Sequence, residues 1–146
     1  MKKDYNRTDF LKMLANAGIR SSVQRLAILE YVFMCESHPA AEEIYSALVR
    51  SNPMLSRTTV FNNLRLLSEK GILNDMDISS ESTRYDSTDT PPHAHFMCRK
   101  CRRIFDIPLA MPVMSAPHGF HCDNVNVFFK GVCPQCMEKS DVDKKK

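Results

Sequence analysis

No stretch of this chain approaches the ~20 consecutive apolar residues that a membrane span requires. The start, MKKDYNRTDFLKML, has basic residues but no unbroken apolar run of the kind a signal peptide carries. The chain is therefore expected in a reducing cytoplasm, where its six cysteines read as metal ligands sooner than as disulfides. Internal repeats and low-complexity tracts are missing, and so are a Ser/His/Asp constellation and a phosphate-cradling loop. Excess charge is scarce as well. The net +3 comes wholly from residues 1–71, where ten Lys/Arg face seven Asp/Glu, while residues 72–146 balance ten against ten. A polyanion partner for the first half is compatible with that bias, although ordinary solvated charge accounts for it on its own.

What is present divides into two halves. With 146 residues the chain fits one domain or two small ones. The first half reads as helices: Thr8 to Ala17, ended by Gly18; Ser22 to about Cys35, with Leu26, Leu29, Val32 and Phe33 at helical spacing; and Ala41 to Arg50, with Ile44, Ala47 and Leu48 on one face. A fourth helix has Ser56 as its N-cap, a buried stripe of Val60, Leu64 and Leu67, and Gly71 just past its end. The next segment alternates Ile72, Asn74, Met76 and Ile78 against Asp75 and Asp77, then turns into a second short strand. Helices joined by short turns and followed by a hairpin describe a winged helix-turn-helix, or else a generic helical bundle with a hairpin. With the stripe inward, Thr58, Phe61, Asn62 and Arg65 project outward, with Arg57 at the helix start, and these side chains suit a DNA major groove.

Ser87 to Pro92 is a linker by composition. Beyond it the chain reads as short strands, AHFMC, RRIFDI and NVNVFFKGV, with three prolines between Pro108 and Pro117 that argue against a long helix there. Cys98-x-x-Cys101 and Cys133-x-x-Cys136, with 31 residues between them, supply four thiolates for a structural Zn²⁺. Iron and sulfide could use the same ligands, but no other feature points to electron transfer, and a redox dithiol needs only one such pair. Cys35 and Cys122 are left over and expected to be small buried hydrophobes. On a strand, His93 and His95 share one face and Cys98 takes the other, so these residues should serve two sites back to back. His38, Asp86 and Asp106 are the further hard donors, and three imidazoles with two carboxylates suit Fe²⁺, Mn²⁺ or Zn²⁺.

The stretches GIRSSVQRLAILEYV, SHPAAEEIY, SRTTVFNNLRLLSEKGIL, HAHFMCRKCRRIFDI and GFHCDNVNVFFKGVCPQC resemble, in order, the ferric-uptake-regulator (Fur) family of bacterial metal-dependent repressors. The resemblance implies an α+β chain. Its parts would be a winged-helix DNA-binding domain at 1–86, a hinge at 87–92, a small α/β dimerisation and metal-binding domain at 93–138 and a disordered tail at 139–146. It implies structural zinc on Cys98, Cys101, Cys133 and Cys136, and regulatory iron or manganese on His38, Asp86, His93, His95 and Asp106. It also implies operator DNA as partner, a homodimer, and a backbone contact for Arg20. Asp at position 106, where iron sensors of the family typically have Glu, matches the peroxide-sensing, PerR-like branch. There, iron-catalysed oxidation of His38 or His93 releases DNA; the alternative is an iron-responsive repressor without peroxide chemistry. The family's second regulatory site is not matched, since Pro92, Ala94, Val125 and Phe128 stand where donors would be needed. Two further departures are a short, proline-rich 107–118 segment, which puts the dimer interface in question, and Phe61 where the family commonly has Tyr. A hydrolytic metalloenzyme would need an open metal position and a base; a zinc-ribbon interaction module would leave the helical half unused.

Overall fold

The computed structural model describes residues 4–77, 82–109, 116–123 and 125–143, with side chains to Ser140. Ile78 of the expected first strand and much of the 107–118 segment lie outside the described residues. The chain divides into two compact units, Met1–Thr90 and Pro91–Lys146. The division falls inside the expected hinge, but Ser87 still belongs to a strand.

In the first unit, α1 (Arg7–Asn16) starts at a capping box in which Asn6 and Asp9 each accept the other's backbone N–H. Helix α2 (Val23–Met34) is capped by Ser22 and α4 (Arg57–Glu69) by Ser56, while α3 (Ala41–Leu48) has no side-chain cap. Gly18 and Gly71 follow α1 and α4 with φ of 70° and 72°, the left-handed conformation that closes a helix at low cost to glycine. The next N–H groups, of Ile19 and Ile72, reach back to the carbonyls of Leu14 and Leu67 and complete both caps. Strands β1 (Leu73–Met76) and β2 (Arg84–Ser87) form an antiparallel pair, Leu73 opposite Ser87.

Phe10, Leu14, Ile28, Leu29, Val32, Ile44, Val60, Leu64 and Leu67 form the core of this unit, each almost wholly buried. Each such side chain contributes about 1.5–3 kcal/mol of burial. Tyr5 and Phe10 both pack on the Phe33 ring, which they meet edge-on. Two expectations fail here. Helix α3 stops at Leu48 with Ala47 exposed, and Leu73 and Met76 are the buried residues of β1, so strict alternation from Ile72 does not hold. A helix cap at Gly71 pulls both Ile72 and Leu73 under the core before the strand settles.

In the second unit, β3 (His93–Cys98) lies between β4 (Ile104–Pro108), antiparallel, and β5 (Phe128–Gly131), parallel. An unexpected helix, α5 (Pro134–Asp143), follows. It corrects the disordered tail expected at 139–146, because residues 139–143 continue the helix. Pro134 occupies its first position, where a missing N–H costs nothing. No helix among the described residues is long and apolar enough to cross a membrane.

Candidate metal centres and nucleic-acid face

Cys98 ends β3 and Cys101 closes the turn that follows, while Cys133 and Cys136 flank the start of α5. One sulfur from each lies within 4.8 Å of every other. A tetrahedral zinc with arms of about 2.3 Å would separate its sulfurs by about 3.8 Å, and Cys101 Sγ stands 3.8 Å from Cys133 Sγ. The donor set and its spacing fit Zn²⁺. Burial pushes the Cys98 thiol up, yet backbone N–H groups of Cys101, Cys133 and Lys100 outweigh it and hold the group down at about 6. The Cys133 N–H donates to Cys98 Sγ at 3.3 Å. Arg103, whose Nε donates to Cys101 Sγ at 3.5 Å, lowers that thiol too. Cys136, hydrogen-bonded to Cys133 and partly desolvated, is pushed up to about 12. The leftover cysteines differ from expectation. Cys122 is exposed and Cys35 half-buried, its Sγ 3.0 Å from Ser37 Oγ, because both sit in connecting segments rather than on packed faces.

The hard donors are built locally in each unit. In the first, the 38–40 turn docks on β2 through an Ala40–Arg84 bridge and the Tyr85 N–H to Pro39 carbonyl bond. His38, at φ 54°, is thereby buried beside Asp86, with Nε2 3.6 Å from Oδ2. Its Nδ1 must donate to the Glu36 carbonyl at 3.0 Å, since a carbonyl only accepts. That fixes the tautomer and leaves Nε2 as the lone-pair side. In the second unit, Pro91 does the same for His93 at 2.9 Å. The Nε2 atoms of His93 and His95 stand 3.1 Å apart. Asp106, opposite His95 in the β3–β4 register, brings Oδ1 to 3.7 and 3.6 Å of them. This half-set fits a divalent ion taking nitrogen and oxygen. As the parity of β3 predicts, the two histidines and Cys98 belong to separate clusters.

On α4, Arg57, Thr58, Phe61, Asn62 and Arg65 are all exposed, as is Arg20 ahead of α2. Two features escape sequence reasoning. Asn63 is buried on the inner face, accepting from Arg25 Nε and donating to the Thr59 carbonyl, both at 2.8 Å. Arg57 is held by α3, its Nε 2.8 Å from Glu42 Oε1 and its guanidinium 4.4 Å from the centre of the Tyr45 ring. No local signal links positions fifteen residues apart in this way.

A helical unit presenting a polar helix face, followed by a small sheet carrying metal donors, defines an α+β protein built around metal ions. Residues 16–115 match the model of the ferric uptake regulator family. The chain is 34% identical over 143 residues to the peroxide-responsive repressor PerR of Staphylococcus epidermidis, covering 94% of this chain and 95% of that one. It is 35% identical over 136 residues to the peroxide operon regulator of Bacillus subtilis, covering 90% and 93%. The ferric uptake regulator of Helicobacter pylori has a similar fold, at TM-score 0.71, 17% identity and 94% and 97% coverage. PerR from Streptococcus pyogenes aligns at TM-score 0.52, 28% identity and 89% and 92% coverage. The chain belongs to the ferric uptake regulator family. It is a metal-dependent transcriptional regulator rather than an enzyme.

Proposed function

We propose that this protein is a cytoplasmic, homodimeric repressor that binds operator DNA when loaded with metal and releases it on exposure to hydrogen peroxide. The observation that carries the peroxide reading is the likeness, over nearly the whole of both chains, to relatives named as peroxide-responsive repressors. Asp106, the shorter carboxylate, agrees with it. Helix α4 acts as the recognition helix of a winged helix and β1–β2 as its wing. The four cysteines hold a structural zinc, supported by the 3.8 Å sulfur spacing. The exposed Phe120, Val125 and Phe129 supply apolar surface for a dimer contact.

In this reading the regulatory ion is held by His38, Asp86, His93, His95 and Asp106. Carbonyl anchors on His38 and His93 hold each Nε2 ready for the ion without reorganisation. Bound Fe²⁺ supplies the redox chemistry that consumes peroxide. Either anchored imidazole, on gaining one oxygen atom from hydrogen peroxide while the other leaves as water, would become a poorer ligand, and the DNA-competent state would lose its support. A 100-fold change in operator affinity requires only about 2.7 kcal/mol of coupling.

The test compares iron- and manganese-loaded protein exposed to stoichiometric peroxide, read by gel shift and by peptide mass spectrometry. Iron-loaded protein should release DNA and gain oxygen at His38 or His93, while manganese-loaded protein keeps both its mass and its operator. Iron-loaded protein that holds DNA with unmodified histidines would instead make it an iron-responsive repressor.

A further inference from the structure

Arg57 is the first residue of α4 and the only member of its exposed face with an ion-pair partner among the described residues. Glu42 and Tyr45 sit three positions apart on α3 and so share one side of that helix. The carboxylate accepts a hydrogen bond from the Nε–H, while the Tyr45 ring lies against the guanidinium. One contact sets the direction of the plane and the other sets its tilt. Of the five N–H donors of a guanidinium, only the one on Nε is committed to Glu42. Both terminal nitrogens remain to form the two-pronged contact that reads guanine O6 and N7. Arg57 and Glu42 are 61% and 55% exposed at the side chain, so the pair adds little to folding stability. A negative charge at this position also opposes a polyanion. An arrangement that contributes little to stability and weakens general attraction to DNA is better explained by orientation.

We propose that Glu42 and Tyr45 are positioning residues that pre-set Arg57 for a base edge, raising sequence discrimination at the expense of affinity for DNA of any sequence. The inference rests on α4 being the DNA-reading helix. It separates two arginines on one face: Arg57 is aimed before binding, whereas Arg65 has no ion pair among the described residues and interacts electrostatically with Tyr85.

The experiment uses the full manganese-loaded chain and random-sequence duplexes, from which the wild type selects its preferred site. Each variant is then titrated against that site, its single-base changes and an unrelated duplex. Arg57→Ala should flatten preference at one base pair. Glu42→Ala should flatten the same base pair at least fivefold while binding the unrelated duplex about twofold more tightly. Glu42→Gln, which keeps an acceptor for Nε but not the charge, should retain the preference and show only the tighter general binding. Tyr45→Leu should flatten preference without strengthening general binding. In Arg57→Ala, adding Glu42→Ala should change preference no further. Equal melting temperatures show that folding is not the cause. A wild-type preference profile in Glu42→Ala would overturn the positioning role while leaving DNA reading by α4 intact. A wild type that selects no sequence, with Arg57→Ala and Arg65→Ala binding like it, would overturn both.

Discussion

The two units hold their folds by different means. The first buries a continuous cluster from Phe10 to Tyr85, with leucine, isoleucine, valine and phenylalanine from all four helices. In the second, the buried side chains among the described residues are Ala94, His95, Cys98 and Cys133. Not one large aliphatic is among them, and Phe129 and Met137 are exposed instead. Fewer than sixty residues with so little apolar burial do not normally hold a fold without a metal, a disulfide or a partner. The contrast is between one half organised by apolar side chains and another whose buried residues are mostly candidate metal donors.

The most damaging test of that contrast is removal of the sulfur-bound metal. Cys98→Ser, or chelation of the wild type, should abolish amide-exchange protection in β3, β4 and β5 while α1 to α4 keep theirs. Persistent protection of the β3 amides in metal-free protein would show that the second unit has a sufficient core after all. The reciprocal change is Leu64→Ala, at a fully buried position. It should cost the first unit about 2–5 kcal/mol, measured by urea unfolding, with the zinc content unchanged. Zinc loss in step with that unfolding would mean that the two halves are not independently stabilised.

The smallest effect sharpens the picture of the first unit. Burial first, and then its hydrogen bond to Asp89, push the Tyr5 hydroxyl up to about 12 from an ordinary value of 10. Its folded value is the raised one, so its contribution is fully present below pH 10 and is lost as the pH rises from 10 towards 12. Melting temperature should therefore fall more steeply across that window in wild type than in Tyr5→Phe. Parallel curves would mean that the partly buried hydroxyl is not held neutral by the fold.

Local chemistry explains which parts were legible in the sequence. Ser22, Ser56, Gly18 and Gly71 mark helix ends because capping is decided within one turn of chain. The faces of β3 were legible because side chains alternate on any strand. Helix α5 was not, since a proline directly after Cys133 reads as a breaker unless the helix is already known to begin there. The hold of Glu42 on Arg57 and the burial of Asn63 against Arg25 depend on how helices cross, information that no window along the chain contains. Of the hard donors, residue types gave the set, but the Glu36 and Pro91 carbonyls that orient His38 and His93 became visible only with the backbone.

Strand β3 has a genetic consequence. His95 and Cys98 stand an odd number of residues apart in one continuous strand and serve clusters on opposite faces. Phe96 and Met97 between them can vary in identity within the limits of packing, the tightest at Phe96, whose ring lies 3.1 Å from where a Gly131 Cβ would stand. Their number cannot vary. Adding or losing one residue would turn every donor on one side of the lesion to the wrong face, disabling the sulfur cage or the histidine pair in one event. Descendants of this chain should therefore accumulate substitutions at these two positions while insertions and deletions are removed by selection.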